Sequence, residues 1–175
     1  MRIHTLGPQV TDSYTAAKFY NQHYCRNQAI ICGHNSFENL LTHLKQYSKD
    51  YLLIPAAFKS NILKASWGDI HYALLEQMTL VTSFITQLDP LVVIQRQDAN
   101  NRIGYTHAAT AQLLSRIVHN IVIQTYPSKY RAYQAYCHDQ AAFVLTNLKI
   151  VTLSSQEHII KQLQPSMVWC LYQIN

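Results

Sequence analysis

Short apolar runs alternate with helix-patterned stretches twice along this chain, and that alternation constrains its fold more than any other feature. "IHTLG" (3–7), "AIICG" (29–33) and "YLLIP" (51–55) read as strands. Ala16, Ala17, Phe19 and Tyr20 give the stretch after the first strand one apolar helical face. Phe37, Leu40, Leu41 and Leu44 do the same after the second, at the i, i+3, i+4, i+7 spacing of a buried stripe. Strand–helix–strand–helix–strand at this spacing predicts a parallel sheet. The pattern restarts with strands at "RIGYT" (102–106), "NIVIQ" (120–124) and "AAFVLT" (141–146). Helices lie between them at 107–120, with Leu113, Leu114, Ile117 and Val118 inside, and at 128–139, with Tyr130, Tyr133 and Cys137 on one face.

The segments joining the two repeats complete the plan. "GDIHYALLEQM" (68–78) reads as a helix capped by Asp69. "LVTSFITQLDPLVVIQR" (80–96) is rich in Thr and Val and broken at Asp89-Pro90, so two strands carry the chain from one lobe to the next. Ser154 and Glu157 have the spacing of a capping box, which predicts a helix over "QEHIIKQL". "MVWCLYQI" (167–174) is a last strand that returns. The fold class expected is α/β. Lobe 1 takes residues 1–84 with about 160–175, and lobe 2 takes 85–159, each a small, mainly parallel sheet flanked by helices. Ligands are expected in a cleft where strand carboxyl ends meet helix N-termini.

Composition narrows the function. At 175 residues and 49% apolar, the chain can build a real core. Its fourteen Lys and Arg are scattered with no run of three, unlike a nucleic-acid-binding stripe. A net charge of +5 instead suits a small anionic ligand. The four cysteines make no C-x-x-C and no zinc-like set with His, so they read as reduced thiols, and no metal or cofactor is expected. No apolar run approaches the ~20 residues of a membrane span, and the first residues carry no secretory apolar segment, so a cytoplasmic location is expected. There is no Gly-x-Ser-x-Gly, no P-loop and no dinucleotide fingerprint.

Several stretches, in order, resemble one family. "TLGPQVTDSYTAAKFY" (5–20) is similar to the opening of the prephenate dehydratase catalytic domain, a strand followed by Leu-Gly-Pro-x-Gly-Thr-x-Ser. "SFENLL" (36–41), "YTHAATAQLL" (105–114) and "SKYRA" (128–132) fall where that family has Ser/Thr-Phe-Glu, Ser-His-Pro-x-Ala-Leu and Ser-Thr-x-x-Ala. "IPAA" (54–57), "LTN" (145–147) and "WCLY" (169–172) resemble the sister branch of bacilysin-pathway prephenate decarboxylases. The resemblance implies a two-lobed, type 2 periplasmic-binding-protein-like fold, a prephenate-like carboxylate ligand and, by analogy, a homodimer. The family's usual regulatory ACT domain is not expected within these 175 residues.

The departures bear on chemistry. Val10 stands where the family has Gly, the Glu-Asn pair after Pro55 is absent, and the Thr-Arg-Phe motif is replaced near Val168-Trp169-Cys170. Ala108 follows His107 in place of Pro, and Lys129 replaces the Thr after Ser128. Dehydration by the family's mechanism is therefore not expected. Decarboxylation demands less: a held dianion, a turned-out carboxylate and a placed proton, supplied by positioning and electrostatics.

Candidate site residues follow from position. Thr11 and Ser13 open the first helix and Ser36 the second, while His107 and Ser128 open the two helices of lobe 2. Each is equally a candidate for a plain N-cap. His107 is the candidate acid, base or carboxylate donor. Lys59, Lys129 and Arg131 are candidate carboxylate partners, and Arg96 is a weaker one. Three readings stay open: a cofactor-independent lyase acting on prephenate or a related ring acid, a non-catalytic binding module for such acids, and a structural or regulatory protein with a vestigial cleft.

Overall fold

The computed structural model describes residues 1–139 and 141–175, which form two compact units. Unit 1 comprises Met1–Thr86 with Ser166–Asn175, and unit 2 comprises Gln87–Pro165.

Unit 1 is built on strands β1 (Arg2–Leu6), β2 (Ile30–His34), β3 (Tyr51–Pro55), β6 (Met78–Gln87) and β12 (Ser166–Ile174), in the order β2-β1-β3-β12-β6. β1 pairs in parallel with β2 and β3, as the alternation predicts, and β12 returns antiparallel to β3. Helix α1 (Asp12–Tyr24) begins at Thr11, whose hydroxyl accepts the Tyr14 N–H, and buries Ala16 and Ala17. Helix α2 (Phe37–Thr42) begins at Ser36 and buries Phe37, Leu40 and Leu41 against Leu52, Ile54, Tyr172 and Ile174. Between β3 and β6 lie a two-residue-armed hairpin, β4 (Lys59–Ser60) with β5 (Ala65–Ser66), and helix α3 (Trp67–Ala73). The cap of α3 is Ser66 rather than Asp69. Asp69 sits one turn in and closes a reciprocal capping box on Ser66, so its carboxylate takes the Ser66 N–H at 2.7 Å.

Gly7 and Gly33 sit where β1 and β2 end. A Cβ on Gly33 would lie 3.3 Å from the Gly7 Cα and 3.3 Å from the Tyr14 ring. Only glycine lets the two backbones and the first turn of α1 meet there, with the Gly7 N–H donating to the His34 carbonyl at 2.7 Å.

Unit 2 holds β7 (Leu91–Arg96), β8 (Ile103–His107), β9 (Val122–Tyr126), β10 (Phe143–Asn147) and β11 (Glu157–Leu163), in the order β11-β7-β10-β8-β9. β8 runs parallel to β9 and β10, whereas β7 and β11 run antiparallel to their neighbours. Helices α4 (Ala111–Ile117) and α5 (Lys129–His138) cover opposite faces. Leu91 and Val93 pack toward Leu114 of α4 and Val118 at its C-cap, while Val92 and Ile94 pack toward Ala132 and Tyr136 of α5. The buried face of α5 is thus Ala132 and Tyr136. Cys137 is exposed.

The helix expected over 156–163 is strand β11. The Ser154 N–H does donate to the Glu157 carboxylate at 2.9 Å, which is half of a capping box. The chain then extends instead of coiling, because Ile159 and its neighbours complete the open edge of β7. The return to unit 1 consequently falls at Ser166.

Arg96 ties β7, α5 and β11 together. Its guanidinium donates to the Glu157 carboxylate (2.9 Å) and to the Tyr136 and Asp139 carbonyls (3.0 and 2.6 Å), and lies 4.2 Å from the centroid of the Tyr136 ring. Burial works to raise the Glu157 pKa, but the Ser154 N–H and Arg96 outweigh it and hold it below the ordinary value. Both side chains are largely buried, so removing one leaves the other uncompensated. Arg96→Ala is expected to cost about 3 kcal/mol in urea unfolding. A cost within about 0.5 kcal/mol, the range of an ordinary surface change, would show that Arg96 does not tie these elements together.

Candidate functional site

Parallel strands that end level bring the following loops and helix N-termini to one edge of a sheet. In unit 2, the register pairs His107 of β8 with Tyr126 of β9. The next residues of each strand therefore open α4's preceding 3-10 turn (Ala108–Thr110) and α5 side by side.

His107 closes β8. Its Nδ1 accepts the Ala109 N–H at 3.3 Å, so the neutral ring carries its proton on Nε2 and offers an N–H donor. Burial, reinforced by the nearby Lys129 ammonium, drives its pKa down to about 4. The loop around it is braced by hydroxyls. Thr106 and Thr110 share a 2.7 Å hydrogen bond, Thr110 donates to the His107 carbonyl (3.1 Å), and Thr106 donates to the Leu145 carbonyl (3.2 Å).

Ser128 is buried and caps α5 by accepting the Arg131 N–H at 3.1 Å. Thr146, the middle of "LTN", donates to the Lys129 carbonyl at 3.1 Å and so pins the first turn of α5 to β10. That first turn contains Lys129 and Arg131 and no acidic residue. A helix N-terminus is already positive, so cations there oppose the helix's own electrostatic preference and build an anion-attracting end. The Arg131 guanidinium is turned along the helix to the Gln134 side chain at 2.9 Å. Unit 2 therefore brings together His107, Ser128 and Lys129, with Arg131 directed elsewhere.

In unit 1 the predicted residues act first as architecture. The buried Thr11 hydroxyl donates to the Leu6 and Pro8 carbonyls (2.7 and 3.0 Å) and accepts the Tyr14 N–H (3.3 Å). Its one proton is committed to fixing the Gly7-Pro8 turn, whose peptide bond is cis. Ser13 is buried in the first turn of α1. Ser36 accepts the Asn39 N–H at 3.1 Å. Lys59 is exposed on β4, beside a Ser60 hydroxyl that donates to Glu38 at 2.6 Å. Val10 is exposed and takes no part in the core. Trp169, where the dehydratase motif would lie, and Tyr172, further along the same strand, are buried. Trp169 donates to Thr86 at 2.8 Å, and Tyr172, whose pKa burial pushes up to about 12, bonds His71 at 2.9 Å. Arg96 serves the framework, as described above.

His4 and His34, which are not among the site residues expected above, form a hydrogen-bonded chain with Asp50. His4 Nε2 lies 3.1 Å from the Asp50 carboxylate, and His4 Nδ1 lies 2.8 Å from His34 Nε2. The Asp50 carboxylate accepts, so His4 donates from Nε2 and His34 donates to its Nδ1. Tyr47 packs on both rings, 4.3 and 5.3 Å between centroids. The signal was present in the strand period: His4 and His34 share a face of the adjacent strands β1 and β2, two residues apart in register. Among the described residues, no group of three or more His, Cys, Asp or Glu is set out to hold a metal ion. No helix among them is long and apolar enough to cross a membrane.

No family model and no curated protein matches the chain. Solved structures do match, and they share the fold. The prephenate dehydratase of Arthrobacter aurescens, solved in complex with L-Phe, is 12% identical with a TM-score of 0.58, over 100% of this chain and 61% of that one. The prephenate dehydratase of Staphylococcus aureus is 12% identical with a TM-score of 0.56, over 99% of this chain and 66% of that one. The periplasmic VFT2 domain of Bordetella pertussis BvgS is 14% identical with a TM-score of 0.58, over 99% and 80%. The chain spans less than two thirds of either dehydratase. The fold is thus the α/β, type 2 periplasmic-binding-protein-like class found in both dehydratases and Venus-flytrap sensor domains.

The two perturbed histidines make stability depend on pH. His34 is also held below its ordinary pKa, by burial and then by His4. In the unfolded chain both rings bind protons near pH 6.5, more readily than in the folded one. Their contribution is therefore complete above about pH 6.5 and is lost as the pH falls toward the folded values. For His107 the loss reaches about 3 kcal/mol by about pH 4. Urea unfolding at about pH 7.5 and about pH 5 is expected to show a marked drop that shrinks in His107→Gln. Equal stability at both pH values would contradict the assignment.

Proposed function

We propose that this chain binds a small organic carboxylate at the carboxyl end of the unit 2 sheet, and that ring acids of the prephenate type are its ligand class. One observation carries the reading: α5 opens on Lys129 with no acid in its first turn, beside the Nε2–H donor of His107. Helix amides, an ammonium and a neutral imidazole donor are what a carboxylate needs, and none of them stabilises α5 by itself. The shared fold and the ordered resemblance of "TLGP", "SFENLL", "YTHAATAQLL" and "SKYRA" support a ligand from the aromatic-precursor acids.

A second reading adds turnover. In it the chain is a cofactor-independent lyase that decarboxylates prephenate, with the ring carboxylate leaving as carbon dioxide and a proton taking its place on carbon. "IPAA", "LTN" and "WCLY" favour it. His107 would then be the group that positions the proton.

Prephenate is expected to raise the melting temperature of the protein. Lys129→Met and His107→Gln should each weaken binding about tenfold or more. Loss of the diene absorbance during incubation would select the lyase over the binding module. Absence of stabilisation by prephenate and by related ring carboxylates would overturn both readings and leave the fold without this ligand class.

A further inference from the structure

Strand β6 is an edge of the unit 1 sheet, and its sequence lacks the charges and proline that commonly keep edges apart. Residues 77–88, "QMTLVTSFITQL", contain no charged residue, no Pro and no Gly. In a chain with fourteen basic and nine acidic residues and a net charge of +5, this is a surface two copies can bring together without opposing like charges.

The strand has two unlike faces. Thr82, Phe84 and Thr86 face the body of unit 1. Phe84 stacks on Phe19 (5.9 Å between centroids) and packs on Tyr20 (5.4 Å) of α1, and the Thr86 hydroxyl accepts the Trp169 N–H. These contacts hold β6 in place. The alternate residues turn outward, leaving Val81 50% and Ile85 66% exposed, with Ser83 exposed between them.

We propose that β6 pairs with β6 of a second copy of this chain, antiparallel across a two-fold axis, to join two five-stranded sheets into one. An isologous contact must match itself, and this edge does. With Ser83 opposite Ser83 of the second copy, Val81 of each chain faces Ile85 of the other. Two apolar pairs then flank a small residue on the axis. The pairing also fills the backbone donors and acceptors that each edge leaves open.

Light scattering or sedimentation of the protein at about 10–100 µM is expected to give twice the chain mass. Ile85→Lys should return the monomer while leaving the circular dichroism unchanged, because Ile85 is 66% exposed in the single chain and takes no part in its core. Ser83→Cys should cross-link to a dimer under mild oxidation, since directly opposed residues of antiparallel strands lie about 4.5–5.5 Å apart at Cα, within disulfide range. A monomer throughout this range, a dimer that survives Ile85→Lys, or a Ser83→Cys protein that fails to cross-link would overturn the proposal.

Discussion

Two strands can end side by side and hand over to a helix only if nothing stands between their backbones. Gly7 and Gly33 meet that condition in unit 1: each lacks the Cβ that would press on the other, and the Tyr14 ring closes over Gly33. The hydrogen bond from the Gly7 N–H to the His34 carbonyl then fixes the turn, and Thr11 caps α1 from within it. The positions of α1, β2 and the His4–His34 pair all follow from that approach. Unit 2 solves the same problem differently. There the ends of β8 and β9 are held level by ladder register, and hydroxyls from Thr106, Thr110 and Thr146 do the bracing.

This division of labour separates framework from ligand chemistry. Thr11, Ser36, Ser128 and Arg96 have polar atoms engaged by the protein itself. In unit 2 the groups a carboxylate would meet in the proposed site are the His107 Nε2–H and the basic first turn of α5. An anion answers both, and the charge pattern of α5 has no account in helix stability alone.

Much of this architecture was legible in the sequence because it is local. Apolar periodicity marked α1, α2 and α4, and Ser or Thr before an apolar run marked three N-caps. The failures lie where distant partners decide. Glu157 obeys the capping rule and yet opens a strand, because the edge of β7 lies within reach and the rule knows nothing of it. Asp69 was read as a cap when it is the far half of a box whose cap is Ser66. The face of α5 was misread because three aromatic and sulfur side chains outweigh one alanine in a periodicity, whereas the sheet takes Ala132 and Tyr136. His107, Ser128 and Lys129 are separable in sequence but adjacent only through strand register, so their grouping needed the sheet.

The Asp50–His4–His34 chain runs across the sheet rather than along it, from the residue before β3, through β1, to the end of β2. Its consequence is directional. With Asp50 accepting, each ring hands its proton-bearing nitrogen toward the carboxylate, and His34 is left with a bare lone pair on Nδ1. A carboxylate two strands away thus dictates which kind of atom the far ring presents. Reversing the row takes one added proton: as His34 Nδ1 takes it up from solvent, His34 Nε2 passes its own to His4 Nδ1 and His4 Nε2 passes its own to Asp50, which turns that outer nitrogen from acceptor to donor without moving a heavy atom.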